Sequence, residues 1–182
     1  MVCLLLVASR PAVATGDGQA AFQSITTSLA PAACHDEIDP SSADDAHRLR
    51  CPGVGGYALI PTIDDVREET ITLVDPQRQE TQLDYGKKVP THDCRIDQKI
   101  EWRATTSSAK PVPIALIVHL NSYKNYFEPK TLIKSYWIIA KITSNQACIT
   151  DTILDDKQSP DQVRQLADSA QARPCLSAIH PE

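Results

Sequence analysis

The chain has 182 residues, of which 42% are hydrophobic and 23% charged, values that are ordinary for one globular domain. Acidic residues outnumber basic ones by 23 to 18, which gives a net charge of −5. That balance excludes a basic nucleic-acid-binding domain, because neutralising phosphate groups requires an excess of Lys and Arg. With only 6 glycines, the sequence contains no phosphate-cradling glycine loop, and it shows no catalytic signature.

The first segment has the pattern of a secretory signal peptide. Residues 2–8 form a compact apolar run, and Ala-Val-Ala at residues 12–14 is typical of a cleavage site. We therefore predict a signal peptide over residues 1–14, removed together with Cys3, and a mature protein that begins near Thr15. The alternative is a buried first strand or helix. The run is too short to span a membrane, which requires about 20 apolar residues, so we expect no stable membrane insertion and a secreted or periplasmic protein.

Export implies an oxidising compartment in which disulfides form. The expected mature chain holds an odd number of cysteines: Cys34, Cys51, Cys94, Cys148 and Cys175. The sequence alone allows several pairings, and we favour the two shorter loops, Cys34–Cys51 and Cys148–Cys175, with Cys94 left over. Each bridge would stabilise the fold by about 3 kcal/mol through loss of unfolded-chain entropy.

The segment after the signal has little periodicity, and we predict a flexible lead-in over residues 15–33. One β-rich domain is then predicted over residues 34–182. Its first part, residues 34–51, is an acidic loop with five acids and two Arg. A Ser-capped helix of two turns is predicted over residues 43–50 of this loop.

Alternating and apolar segments then predict a series of strands. The predicted strands cover residues 57–63, 69–74, 80–85, 99–104, 112–120, 136–142 and 147–154. Residues 99–104 have the clearest period of two, which places Trp102 in the core and Arg103 in solvent. Residues 112–120 are almost continuously apolar, which indicates a central strand covered on both faces.

A helix is predicted at the C-terminal end of the domain. Ser159 precedes Pro160, the arrangement of a capping residue before a helix-starting proline, and apolar residues then recur at helical spacing as far as Ala172. The sequence thus predicts a mainly β fold: an antiparallel sandwich or open barrel of about seven strands with one C-terminal helix, an α+β arrangement.

Several strings taken together resemble a family of small exported bacterial proteins of unknown function. They are CPGVGGY at residues 51–57, EWR at 101–103, PIALIV at 113–118 and the tail RPC at 173–175. The resemblance would cover residues 34–175. It implies export and one compact domain, and it implies no activity and no catalytic residues.

The acidic loop contains side chains that could bind a metal ion. The candidate ligands are His35, Asp36, Asp39 and His47, whose oxygen and nitrogen donors suit a hard or borderline cation. The loop lacks the alternating ligands and central glycine of an EF-hand, and its histidines lack the helical spacing of a zinc protease. A solvated acidic loop that binds no metal is the alternative, and no cofactor is predicted.

The stretch between the predicted strands 112–120 and 136–142 predicts a binding surface. It reads as a long hairpin loop in which aromatic and cationic residues alternate, and residues 121–141 carry four Lys and one Glu. The candidate binding residues are Tyr123, Lys124, Tyr126, Phe127, Lys130 and Lys134. Aromatic and cationic side chains together are typical of recognition surfaces, although the aromatics could instead form a satellite core under the loop.

Two classes of function follow from these patterns. The first is an exported, non-catalytic binding module, an inhibitor or an envelope-associated adaptor, whose partner is a protein or an anionic envelope component and not a nucleic acid. The second is a small secreted hydrolase or metal-binding protein that uses the acidic loop of residues 34–51. The oligomeric state does not follow from the sequence.

Overall fold

The computed structural model describes residues 21–40, 42–43, 46–63, 68–85, 88–89, 93–106 and 110–177. Within them the elements are β1 (Phe22–Ser28), β2 (His35–Ile38), β3 (His47–Pro52), β4 (Ala58–Ile63), β5 (Glu69–Val74), β6 (Glu80–Leu83), β7 (Cys94–Ile96), β8 (Lys99–Thr105), β9 (Val112–Tyr123), β10 (Leu132–Ile142), β11 (Ala147–Leu154) and α1 (Pro160–Asp168). The predicted signal peptide, residues 1–14, lies outside the described residues.

The strands form two antiparallel sheets. The small sheet has the order β2-β3-β4-β5-β6, and the large sheet has the order β1-β8-β9-β10-β11, with β7 pairing alongside β8 on the same side of β9. The predicted mainly β fold with one C-terminal helix is confirmed, and its two sheets form the sandwich-like arrangement of the two that were predicted. Strands β1, β2, β3 and β7 are additional to the predicted ones.

Two predictions for the N-terminal part of the domain are wrong. The expected lead-in contains β1, which pairs with β8 along its whole length, from Phe22 opposite Thr105 to Ser28 opposite Lys99. The predicted helix over residues 43–50 is replaced by β3, which pairs with β2 in a hairpin. The hairpin has few apolar side chains, so its strands gave no alternating hydrophobic signal.

The main core lies between the two sheets, and Trp102 is its largest fully buried side chain. Its indole N–H donates to Thr27 Oγ1 at 2.8 Å, so the polar edge of the ring is satisfied. A Cβ at Gly53 would lie 2.7 Å from the ring, closer than two carbons can approach. The small sheet therefore packs against Trp102 through a position that only glycine can occupy.

A third layer covers the other face of the large sheet. Val163 and Ala167 of α1 pack against Ile117 and Ile139, which explains why β9 is apolar on both faces, as predicted. The capping box of Ser159 is present, while α1 ends at Asp168 and a separate 3₁₀ turn completes the segment that was predicted to be helical up to residue 172.

The helix also changes the surroundings of Arg103, which was expected in solvent. Its side chain points away from the main core, but α1 covers it, and only 8% of its surface is exposed. The guanidinium donates from Nε and Nη2 to the two carboxylate oxygens of Asp168 at 2.7 and 2.9 Å. Because a buried cation requires a paired anion, this bidentate contact fixes the helix on the sheet.

Both predicted disulfides are present. Cys34–Cys51 joins the start of the β2–β3 hairpin to its end, and Cys148–Cys175 joins β11 to the segment after α1. Cys94 is buried and lies outside both bridges. The two bonds close loops near the beginning and near the end of the described chain.

We expect Trp102→Ala to lower the free energy of unfolding by about 3–5 kcal/mol, since it removes the largest buried side chain and leaves a cavity between the sheets. Denaturant unfolding followed by circular dichroism measures this change. Ile133→Ala, at an exposed position, serves as the control and should change stability by about 0.5 kcal/mol or less. A similar small change for Trp102→Ala would contradict the assigned core.

Candidate binding site

The β9–β10 hairpin extends beyond its neighbours in the large sheet. β11 ends opposite β10 at the pair Leu154–Tyr136, and β7 begins opposite β9 at the pair Cys94–Ser122. Residues 123–135, which we call the ribbon tip, therefore continue as two strands and their connecting turn. The tip contains all six predicted binding residues.

The turn of the ribbon tip is shorter and more ordered than the long loop that the sequence predicted. The strands run into it, so only residues 124–131 connect them. The backbone N–H of Lys124 donates to the carbonyl oxygen of Thr131 at 2.9 Å, and the N–H of Asn125 donates to Thr131 Oγ1 at 3.1 Å. The Asn125 amide in turn donates to Glu128 Oε1 at 3.0 Å. The turn is thus held by its own polar groups.

A β-bulge at the start of β10 exposes two aliphatic side chains. Leu132 lies opposite Tyr123 and Lys134 lies opposite Ser122, so Ile133 is an extra residue on this strand. The inside–outside alternation stops there, and Leu132, Ile133 and Lys134 are all exposed, the first two by 50% and 58%. Bulges commonly redirect side chains next to functional sites.

Tyr126 anchors the ribbon tip to the body of the domain. Its side chain is buried, and its hydroxyl donates to Glu69 Oε1 at 2.6 Å. The other oxygen of Glu69 accepts the backbone N–H of Ile96, also at 2.6 Å. The Arg95 guanidinium lies 4.3 Å from the centre of the Tyr126 ring, a cation–π distance. Glu69 therefore connects β5, β7 and the tip.

The environment of Tyr126 changes its acidity. Burial first, and then the hydrogen bond to Glu69 and its negative charge, raise the pKa of Tyr126 to about 12, while Arg95 acts in the opposite direction. The interior of the tip thus favours the neutral phenol that donates to Glu69.

The structure divides the predicted binding residues into two groups. Tyr126 is an anchor, as the satellite-core alternative expected, and Tyr123 is half-buried, with its ring 5.7 Å from the guanidinium carbon of Arg95. Phe127 is 70% exposed. The three lysines of the tip are also exposed: Lys124, Lys130 and Lys134.

The sequence analysis predicted no binding role for Leu132 and Ile133, which lie within the predicted loop. Together with Phe127 they are three of the seven large apolar side chains that are exposed among the described residues. The available signal was the pair of adjacent aliphatics directly before Lys134, since two neighbours on a regular strand cannot both face inward. The exposed surface of the tip therefore carries three apolar side chains, Phe127, Leu132 and Ile133, which we call the apolar cluster, and three lysines.

The structure brings together two of the four predicted metal ligands, Asp36 and His47. His35 and Asp36 are adjacent on β2 and point to opposite faces of the hairpin, and His47 Nδ1 lies 3.0 Å from Asp36 Oδ2. Asp39 instead faces Arg48, with its Oδ1 3.5 Å from Nη1. No group of three or more metal-binding side chains that could hold an ion is found within the described ranges. The acidic hairpin is held by cross-strand ion pairs.

A second polar cluster lies on the outer face of the large sheet. His119 Nδ1 lies 2.8 Å from Asp97 Oδ2, and its Nε2 lies 3.5 Å from Asp155 Oδ2. The nearby hydroxyl of Ser135 donates to Asn121 rather than to the imidazole. The ring nitrogens of His119 thus face carboxylates, and this arrangement does not activate a serine nucleophile.

Comparison with protein-family models, with curated proteins and with solved structures finds no match. The candidate site therefore rests on the geometry of the ribbon tip itself.

Tyr126→Phe tests the anchor through the pH dependence of stability. Between pH 10 and 12 the phenol keeps its proton in the folded protein and loses it in the unfolded chain. The stability that the buried phenol contributes is therefore complete below pH 10 and is lost as the pH rises from 10 towards 12. We expect the variant to be about 2 kcal/mol less stable at neutral pH and to lose stability less steeply above pH 10. Denaturant unfolding measures both effects.

Phe127→Ala is the control for this experiment, because it changes the neighbouring ring without removing an ionisable group. Its loss of stability at alkaline pH should follow that of the unaltered chain. Equal slopes for Tyr126→Phe and the unaltered chain would contradict the role of the anchor.

Proposed function

We propose that the protein is an exported, non-catalytic binding module that contacts an anionic partner through the ribbon tip. The observation that carries this proposal is the apolar cluster of Phe127, Leu132 and Ile133, exposed beside three lysines. Exposed apolar side chains gathered at one place are typical of interaction sites.

The charge of the tip supports an anionic partner. Residues 123–135 contain three Lys and one Glu, a net charge of +2 within a chain of net charge −5. A local excess of positive charge on an acidic protein attracts negative partners and orients the rest of the molecule away from them.

The order of the tip supports binding as well. Tyr126 and the internal hydrogen bonds of the turn fix the backbone before any partner arrives. A preorganised element loses less conformational entropy on binding. The apolar cluster can therefore contribute most of its contact energy to the complex.

Two observations support export. The two disulfides, Cys34–Cys51 and Cys148–Cys175, indicate an oxidising environment, and the apolar run at residues 2–8 with its cleavage-like site has the pattern of a signal peptide. The resemblance to small exported bacterial proteins agrees with both. In this proposal the protein is secreted or periplasmic, and it acts as an adaptor or an inhibitor at the envelope.

Site-specific photo-crosslinking tests the proposal with a matched pair of positions. A photoreactive amino acid replaces Ile133 on the tip in one variant and Ile38 on the acidic hairpin in the other. Both are isoleucines on strands with nearly equal exposure, 58% and 55%. We expect irradiation of exporting cells to yield an envelope adduct from position 133 and none from position 38.

Adducts that are the same at both positions, or found only at position 38, would contradict a binding role for the tip. High salt should reduce the adduct from position 133, since exposed charges act over a Debye length of about 8 Å at 0.15 M.

A further inference from the structure

We infer that the anionic partner of the ribbon tip is a lipid surface, to which the protein adsorbs peripherally. This inference rests on the proposed function and names the class of partner. The apolar cluster would enter the boundary between headgroups and acyl chains, and the lysines would lie at the level of the anionic headgroups.

The size of the cluster favours a lipid surface over a protein. A stable protein interface buries about 800 Å² on each partner. Phe127, Leu132 and Ile133 are three side chains at the end of a two-stranded ribbon, exposed by 70%, 50% and 58%, so the apolar area that they offer is much smaller than that. A lipid surface does not require a broad matching face, because its molecules rearrange around a small apolar probe.

The type of cationic residue at the tip also favours a lipid surface over a protein. All three exposed cations of the tip are lysines, whereas Arg95 lies beneath, with its Nε buried. Protein interfaces are enriched in Arg and depleted in Lys. Lysines close to an anionic membrane each strengthen adsorption by about fivefold, which corresponds to about 1 kcal/mol.

Most backbone N–H groups of the turn are already paired within the tip. Besides the N–H groups of Lys124 and Asn125, those of Glu128 and Thr131 donate to carbonyls within the turn, and that of Phe127 donates to the Asn125 side chain. Unpaired backbone groups oppose entry into lipid, and these five donors are paired within the tip. No helix of the described residues is long and apolar enough to cross a membrane.

Vesicle co-sedimentation tests this inference. The two probes are vesicles of phosphatidylcholine alone and vesicles of phosphatidylcholine mixed with an equal amount of phosphatidylglycerol. We expect the protein to sediment with the anionic vesicles only. The double variant Lys130→Gln, Lys134→Gln should weaken binding to the anionic vesicles by about 25-fold at low salt, because each lost lysine weakens it by about fivefold. Leu132→Ser with Ile133→Ser should weaken it at low and high salt alike.

The matched control for the charge change is Lys99→Gln with Lys157→Gln, since both side chains are exposed and lie outside the tip. This variant should partition like the unaltered protein. Equal weakening by the control, or equal partitioning of the unaltered protein to both kinds of vesicle, would overturn the inference. The substituted tip residues are exposed, and thermal unfolding of each variant verifies that the fold is kept.

The crosslinking and vesicle experiments separate the two proposals. A protein adduct from position 133, with no binding to anionic vesicles, would overturn the lipid inference and leave the binding function in place. If the protein gives no adduct and also does not bind vesicles, both proposals are overturned.

Discussion

The ribbon tip depends on the contacts made by one side chain, the carboxylate of Glu69. One oxygen accepts the Tyr126 hydroxyl and the other accepts the N–H of Ile96, so one side chain of the small sheet holds two parts of the large one. An isolated two-stranded ribbon is only marginally stable in water. The carboxylate supports the ribbon tip in addition to its own two strands. A half-buried anion is tolerated there because both of its oxygens accept hydrogen bonds.

β9 connects the core to this site. Its 12 residues are Val112–Tyr123, and at residues 114–118 they lie between the small sheet and α1, where apolar side chains fill both faces. The same strand then continues past the end of β11 and forms one side of the tip. The rigidity of the three-layer core therefore extends directly into the element that presents Phe127, Leu132 and Ile133, with no flexible linker between them.

The sequence predicted the elements whose stability comes from apolar patterning. β5 and β11 begin and end as predicted, and both disulfides pair as predicted. The β2–β3 hairpin escaped prediction because cross-strand ion pairs and the Cys34–Cys51 bond stabilise it, and neither leaves a hydrophobic period. At the tip, Tyr126 and Phe127 are neighbours of similar character. Tyr126 is buried because it contacts Glu69, 57 residues away along the chain, and Arg95, and this long-range contact is not visible in the local sequence.

Amide hydrogen exchange in the unaltered protein and in Glu69→Gln is the most direct measurement of the central claim, that this carboxylate orders the tip. The variant is neutral and replaces one acceptor oxygen with an N–H₂ group, so the Tyr126 hydroxyl and the Ile96 N–H no longer both donate to a charged carboxylate, and their contacts with residue 69 are weaker. We predict faster exchange at the Lys124 and Thr131 amides of the turn, with protection of Leu116 in the core of β9 unchanged. Full protection of the turn amides in Glu69→Gln would contradict the claim.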